Sequence, residues 1–318
     1  MKKAKVMVCV VSAAMALLAG LGLAVAEFVA PETTEPHWFL KRHSLSVGLA
    51  VFAAVGAAFV PWRAWLKASP WLFVVYLAVF FGSAMCPMVN GWHRFLFVGN
   101  LPLIDTWVWG WPVAAIFLAF IRSKISLPSW QLLTAVVIAG MVCFTGGVLS
   151  NANRVERLRT FFTEKAESLT VPSEAVERNE RAKAVKAAYL NSAWIGESAK
   201  KSVEDVPLAH TGAVSAGIAV RFGRLVHWAM LSLFGAVGVI LLLVGRCLAD
   251  SPKRVFLFVF GLGLVGLAFL NGAEVLHLVP MFGVCVPLVS FGMQQCIVAG
   301  LNLGIVWSMV REDDYGNS

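Results

Sequence analysis

The stretch NGAEVLHLVPMFGVCVPLVSFG, residues 271–292, lies between two long apolar runs at about 255–273 and 293–310. Apolar runs of this length match the thickness of the hydrocarbon core of a bilayer, so each predicts a transmembrane helix. The stretch carries two ionisable residues, Glu274 and His277, which lie three positions apart and should share one helical face. Ionisable groups at membrane depth are costly to keep, so this pair indicates a functional region.

The rest of the chain repeats the same pattern. Of its 318 residues, 59% are hydrophobic and 14% are charged, whereas soluble domains carry about 25% charged residues. Six further apolar runs of spanning length lie at about 5–27, 44–61, 71–89, 104–121, 131–149 and 224–246. The sequence therefore predicts an all-α polytopic membrane protein with about eight transmembrane helices.

The basic residues predict the orientation of these helices. With a cytoplasmic N-terminus, the short inner segments carry Lys2, Lys3, Lys5, Arg63, Lys67, Arg122, Lys124, Arg246, Lys253, Arg254 and Arg311. The short outer loops would carry Lys41, Arg42 and Arg94 alone. This bias follows the positive-inside rule and predicts that both termini are cytoplasmic. It also explains the net charge of +8 without nucleic-acid binding.

The first run allows a second interpretation, because Ala24-Val25-Ala26 before Glu27 also fits a cleavable signal peptide. Its length favours a retained helix, but the charge count is the same in both cases.

The predicted organisation is helices 1–5 in residues 1–149, an outer loop with amphipathic helices in 150–223, and helices 6–8 with a short cytoplasmic tail in 224–318. The six cysteines show no metal-ligand spacing, so no protein metal site is predicted.

Several polar residues gather on the predicted outer side, namely Arg94, Asp105, His210, His227, Glu274 and His277. Helix capping or snorkelling to the interface explains any one of them alone. Their occurrence together on one side predicts an outward-facing polar cavity between the helices.

Four motifs in this region resemble one family. The stretch 271–292 is similar to the loop pattern N-x-G-x-x-x-G-x-L-P-x-T-G-x-P-L-P-x-x-S-Y-G, with Asn271, Pro280, Gly283, Pro287, Ser290 and Gly292 in place. NGWHRF at 90–95 resembles N-G-A-x-R-W, NRVERLRTFF at 153–162 resembles Y-R-R-E-R-L-x-A-F-L, and VPLAHTG at 206–212 resembles L-P-E-A-H-T-D. By this resemblance the chain is identified as a member of the SEDS family, the FtsW/RodA/SpoVE-like peptidoglycan polymerases.

The resemblance implies a reaction and its partners. Members transfer the disaccharide of lipid II, an undecaprenyl-linked glycan, onto a growing chain at the outer face of the bacterial cytoplasmic membrane, in cell division or cell-shape control. A class B penicillin-binding transpeptidase and membrane lipids are the implied partners, and Mg²⁺ or Mn²⁺ is a candidate cofactor at the pyrophosphate. The matching motif positions imply substrate-binding roles for Arg94, His210, Thr211 and Ser290. The predicted polar cavity adds Asp105 and His277 as substrate-binding candidates.

Two departures from the family pattern leave the activity open. The acid after His-Thr, the proposed catalytic base of the family, is Gly212 here, and one helical hairpin is missing. Glu274 is the first candidate for a substitute acid and Asp205 a weaker one, with Glu197 and Glu204 also nearby in sequence. The chain is then either an active, divergent glycosyltransferase or a non-catalytic relative that binds precursor or scaffolds a synthesis complex. An unrelated transporter would carry internal repeats, and none is evident.

Overall fold

The computed structural model describes residues 2–30, 37–83, 85–86, 95–98, 101–125, 155, 159, 161–162, 173–198, 203, 206–248, 250–280 and 283–316. These residues contain nine α-helices and one two-stranded hairpin. The helices are α1 Lys2–Phe28, α2 Trp38–Phe59, α3 Trp62–Ser83, α4 Thr106–Lys124, α5 Ser173–Leu190, α6 Val214–Phe222, α7 Arg224–Cys247, α8 Ser251–Val275 and α9 Met293–Gly316. The strands are β1 Phe95–Val98 and β2 Leu101–Asp105.

Six helices in the described part of the chain are long and apolar enough to cross a membrane, namely α1, α2, α3, α7, α8 and the Met293–Asp313 portion of α9. The predicted class, an all-α polytopic membrane protein, is therefore confirmed. The fourth predicted run forms α4, which has 19 residues and is not one of the six. The fifth predicted run, 131–149, lies outside the described residues, so the count of eight spans stays a prediction.

The starts of α2 and α3 were predicted wrongly. The apolar runs begin at 44 and 71, but the helices begin at Trp38 and Trp62. Each helix includes basic residues that an apolar run excludes, such as Arg42 in α2 and Lys67 in α3. Long basic side chains keep their stems on an apolar surface and their charge in water, so a helix continues through them.

The hairpin between α3 and α4 was not predicted. Strands β1 and β2 pair antiparallel, with Phe95 opposite Asp105 and Val98 opposite Leu101, and the register shifts between Leu96 and Phe97. Its sequence, FLFVGNLPLID, places apolar residues on both sides of a Gly-Asn dipeptide, which is a hairpin signal. The hairpin ends at Asp105, directly before α4 begins at Thr106, and so positions this residue at the helix start.

Helices α2 and α9 pack backbone to backbone. A Cβ atom on Gly300 would overlap the carbonyl oxygen of Ala50, and one on Gly304 would overlap that of Ala54. Small residues spaced four apart allow this close approach between helices in a membrane protein. The tight contact keeps the start of α9 beside the start of α2, at the predicted outer end of the bundle.

Ion pairs join the helices at the opposite, predicted inner, end. Arg63 at the start of α3 pairs with Glu312 on α9, with 3.0 Å between Nε and Oε1. Lys253 at the start of α8 is buried and pairs with Asp313. The residues after the last predicted span were expected to form a short cytoplasmic tail. They continue α9 as far as Gly316, and Glu312 and Asp313 join it to α3 and α8.

The close contact of α2 with α9 gives a testable prediction. Gly304→Val should lower the unfolding free energy by about 1–3 kcal/mol, because extra atoms in a filled contact force the helices apart. The measurement is thermal unfolding of the purified protein in detergent. The matched control is Gly266→Val on α8, where a Cβ atom meets nothing within 4 Å; equal loss in both variants would contradict the prediction.

Candidate functional site

Asn271 on α8 joins three segments of the chain at the predicted outer end. Its Nδ2 donates to the carbonyl oxygens of Gly212, at 2.7 Å, and Val284, at 2.6 Å. Its Oδ1 accepts from the backbone N of Ser215, at 3.2 Å, and from its hydroxyl, at 2.7 Å. The side chain is fully buried, and all four hydrogen-bonding positions of its amide are used. Asn271 therefore ties the loop before α6 and the loop before α9 to α8.

Glu274 lies one turn further along α8 and holds the same second loop. Its Oε2 accepts hydrogen bonds from the backbone N of Gly283, at 3.1 Å, and of Val284, at 3.0 Å. The side chain is 1% exposed. Gly283 has a φ of +75°, a left-handed conformation that glycine adopts without steric cost. The carboxylate thus fixes a turn whose backbone only glycine accommodates easily.

Gly212, where the family pattern has an acid, is in direct contact with this turn. A Cβ atom on Gly212 would lie 2.8 Å from the Cα and 3.3 Å from the carbonyl carbon of Gly283. The backbone of Gly283 therefore occupies the space that any larger residue would need. Gly212 and Glu274 both contact Gly283. In space, Gly283 therefore lies between the position of the missing acid and Glu274, the nearest candidate substitute.

Ser290 and Thr211 are also brought together by the two loops. The Ser290 hydroxyl donates to the carbonyl oxygen of Thr211 at 3.0 Å and accepts from the backbone N of Val286 at 2.8 Å. The backbone N of Phe291 donates to the carbonyl oxygen of His210 at 2.9 Å. These bonds hold residues 210–212 against residues 283–291 along their length.

His210 belongs to an outer aromatic cluster with Trp38, Phe39 and Phe291. Its ring centroid lies 4.8 Å from that of Phe39 in an edge-to-face arrangement and 6.3 Å from that of Phe291. Burial lowers the pKa of His210, so the imidazole is neutral at neutral pH. Arg42 stacks on the outer side of the cluster, with its guanidinium carbon 4.6 Å from the centroid of Trp38. The start of α2 was not predicted to be part of the site, since no motif marks it.

His43 on α2 supports the same loop from within the bundle. Its Nε2 donates to the carbonyl oxygen of Leu288 at 3.2 Å. Leu288 is a non-glycine residue with a φ of 67°, a strained conformation that persists only where its surroundings hold it. The buried histidine is one such restraint on the loop before α9.

Asp105 lies at the end of the hairpin, directly before α4, and its hydrogen bonds with Trp107 and Gln294 do not involve the Gly283 turn. The Asp105 carboxylate caps α4 by accepting from the backbone N of Trp107 at 3.2 Å, while its own backbone N donates to Gln294 Oε1 at 2.7 Å.

The prediction that Glu274 and His277 share one helical face was wrong. Helix α8 ends at Val275, and His277 follows it with a φ of 56°. Its ring packs edge-to-face on Phe161, with 5.1 Å between centroids.

The remaining candidates are less informative. Arg94, Glu204 and Asp205 lie outside the described residues. Glu197 is exposed and forms an ion pair with Arg221. Among residues the structure describes, no group of three or more His, Cys, Asp or Glu side chains lies close enough to hold a metal ion. The catalytic and substrate-binding roles stay predictions, but Glu274 is the one described candidate acid in contact with the Gly212 region.

A comparison with known protein families matches most of the chain. The FtsW/RodA/SpoVE model, described as cell cycle protein, matches residues 112–315. The chain belongs to this family. The predicted SEDS membership is thereby confirmed, and the chain is a multi-pass membrane protein.

One curated relative matches part of the chain. The chain is similar to the probable peptidoglycan glycosyltransferase FtsW of Caulobacter vibrioides, with 31% identity over 135 residues, 41% of this chain and 33% of that protein. The match thus spans about a third of the length of that relative.

Solved structures show the same fold. One from a peptidoglycan synthase complex that coordinates polymerization and crosslinking has a TM-score of 0.70 and 17% identity, covering 96% of this chain and 97% of that one. Rod shape determining protein RodA of Thermus thermophilus has a TM-score of 0.64 and 17% identity, covering 95% and 96%.

The contact at Gly212 predicts that the family acid cannot simply be restored. Gly212→Asp should lower the unfolding free energy by about 1–3 kcal/mol, because its Cβ atom collides with the Gly283 backbone. The measurement is again thermal unfolding in detergent. Gly292→Asp is the control, since a Cβ atom there meets Gln295 at ordinary distances of 3.5 Å and more. An unchanged melting temperature for Gly212→Asp would show that the two loops are not in contact.

Asn271→Asp should separate the loops from α8. The substitution replaces a donor to two carbonyl groups with an acceptor, at a cost of about 1–3 kcal/mol for each buried group left without its partner. Asn302→Asp buries a comparable group on α9, where Nδ2 donates to one carbonyl, that of Val298. Thermal unfolding should show a larger loss for Asn271→Asp, and an equal or smaller loss would contradict the assigned role.

Proposed function

We propose that this protein acts in peptidoglycan synthesis at the outer face of the bacterial cytoplasmic membrane, with both termini in the cytoplasm. Its joined loops, 206–213 and 283–291, bind the headgroup of a prenyl-linked glycan precursor such as lipid II. Family membership supports the process. The convergence of His210, Thr211 and Ser290 on these loops supports the location, because these are residues to which the family resemblance gives a substrate-binding role.

The contact between Gly212 and Gly283 supports precursor binding over catalysis. A general base typically contributes 10²- to 10⁴-fold to a rate, and glycine contributes none of it. The space beside Gly212 is filled by backbone, so a neighbouring acid has no room to take the same place. The function favoured by this geometry is therefore precursor binding without the chemical step that the family base would assist.

A second candidate, glycosyl transfer, is favoured by the position of Glu274. Its carboxylate would take the proton from the attacking sugar hydroxyl as the new glycosidic bond forms. The bond from the donor sugar to undecaprenyl pyrophosphate breaks in the same step, and the pyrophosphate leaves with the electron pair. In the described arrangement Glu274 Oε2 accepts two backbone hydrogen bonds, so the turn at Gly283 would have to release the carboxylate before it acts.

The proposed partners follow from the same process. A class B penicillin-binding transpeptidase is proposed because a protein of this fold is part of a complex for polymerization and crosslinking. The described residues contain no ready-made metal site. A divalent cation is therefore proposed only as an ion carried by the precursor, since Mg²⁺ is commonly bound through substrate phosphates.

The test is lipid II binding and polymerisation by the purified protein, with and without a class B transpeptidase, beside Glu274→Gln. Glutamine keeps an oxygen that accepts from Gly283 and Val284 but cannot take a proton. Precursor binding without glycan chains, equal in both proteins, is the expected result. Chains made by the wild type and reduced by about 10²-fold or more in Glu274→Gln would establish the second candidate instead.

Glu197→Gln is the matched control, because that acid is exposed and paired with Arg221. It should behave as the wild type in both assays. Absence of lipid II binding by a folded wild-type protein would overturn the proposed function in either form.

A further inference from the structure

The loop at residues 191–198 is fixed to the junction of α6 and α7. Four backbone hydrogen bonds of 2.9–3.2 Å join them, from Gly196 N to Phe222 O, Ser198 N to Val220 O, Arg224 N to Ala193 O and Leu225 N to Trp194 O. Gly223 between the two helices has a φ of +97°, and a Cβ atom on it would lie 2.6 Å from Trp194 O. The backbone of the loop is thus packed into the junction and held in one position.

The side chains of this loop point the other way. Trp194 is 58% exposed and Ile195 is 76% exposed. Leu190, Leu225 and Trp228 beside them are also about half exposed. We call these five residues the interfacial patch. A loop with a well-anchored backbone that presents a tryptophan and an isoleucine outward has a surface suited to an apolar environment.

The interfacial patch continues the exposed face of a membrane-spanning helix. On α7 the exposed residues recur at spacings of three and four, at Leu225, Trp228, Ser232, Ala236, Val239 and Leu243. This stripe lies opposite the buried stripe that includes His227, Phe234 and Leu241. Because α7 is one of the spans, the stripe faces lipid along its length, and the interfacial patch lies at its predicted outer end. Tryptophan is enriched at that depth.

A cation completes the arrangement. The guanidinium carbon of Arg224 lies 4.4 Å from the ring centroid of Trp194. Arg221 nearby is neutralised by Glu197, whereas no carboxylate pairs with Arg224 within the described ranges. An arginine beside an interfacial aromatic ring is placed to meet lipid phosphate groups.

We propose that the 191–198 loop is a membrane anchor, in which Trp194 and Ile195 insert between the lipid headgroups of the outer leaflet and Arg224 binds their phosphates. The anchor holds α5 as well, because Tyr189 at its end contacts His227 Nδ1 of α7 at 3.0 Å. Ala182, Val185 and Ala188 turn the same side of α5 toward the protein. The outer segment is thereby kept at a set height above the bilayer, with the His210 loop that follows it.

The test measures the depth of position 195 in a bilayer. An environment-sensitive fluorophore is attached to Ile195→Cys in protein whose six native cysteines are replaced, reconstituted in phosphatidylglycerol-containing vesicles. Lipids carrying a spin label at the headgroup or along the acyl chain serve as quenchers. Strong quenching is expected from labels near the glycerol backbone, since interfacial segments insert roughly 5–10 Å. Adding Trp194→Ser should move the fluorophore outward and weaken that quenching.

The control is a fluorophore at Glu180→Cys, an exposed position on α5. It should respond to a water-soluble quencher and not to the lipid labels. If the fluorophore at 195 behaves like the one at 180, the anchor does not exist. If it is shielded from both kinds of quencher, the patch is covered by protein and the proposal is wrong. Neither outcome depends on lipid II binding or polymerisation.

Discussion

The backbone contact between Gly212 and Gly283 is the constraint on which the candidate site depends. Two loops that are far apart in sequence meet there without side chains between them. The contact persists because Asn271 and Glu274 satisfy the backbone groups that it removes from water. In a membrane protein such groups are expensive to leave unpaired, so the helix that supplies both side chains determines where the loops lie.

This arrangement changes how the missing acid is to be understood. A glycine in place of a catalytic acid suggests the loss of one functional group. Here the glycine also permits a packing that a larger residue would prevent, and Glu274 is part of that packing. The residue at this position therefore determines both the chemistry that the site can perform and the packing of its two loops.

The sequence predicted the helical membrane fold and its family because long apolar runs and ordered motifs are local signals. It assigned His210 and Ser290 to one site, which stays a prediction, although the segments that carry them are in contact. It did not predict the contact of Gly212 with Gly283, which depends on two loops meeting in space. Helical spacing placed His277 on the same face as Glu274, but α8 ends at Val275 and His277 has a left-handed conformation. No sequence motif marks the aromatic cluster at the start of α2. The hairpin was predictable from the Gly-Asn dipeptide but was hidden by the apolar residues around it.

The seam between α2 and α9 also limits how the bundle can open. With Gly300 and Gly304 against the backbone of α2, neither helix can slide or rotate past the other without a collision. The described bundle therefore cannot separate along this contact without moving both helices apart as rigid bodies.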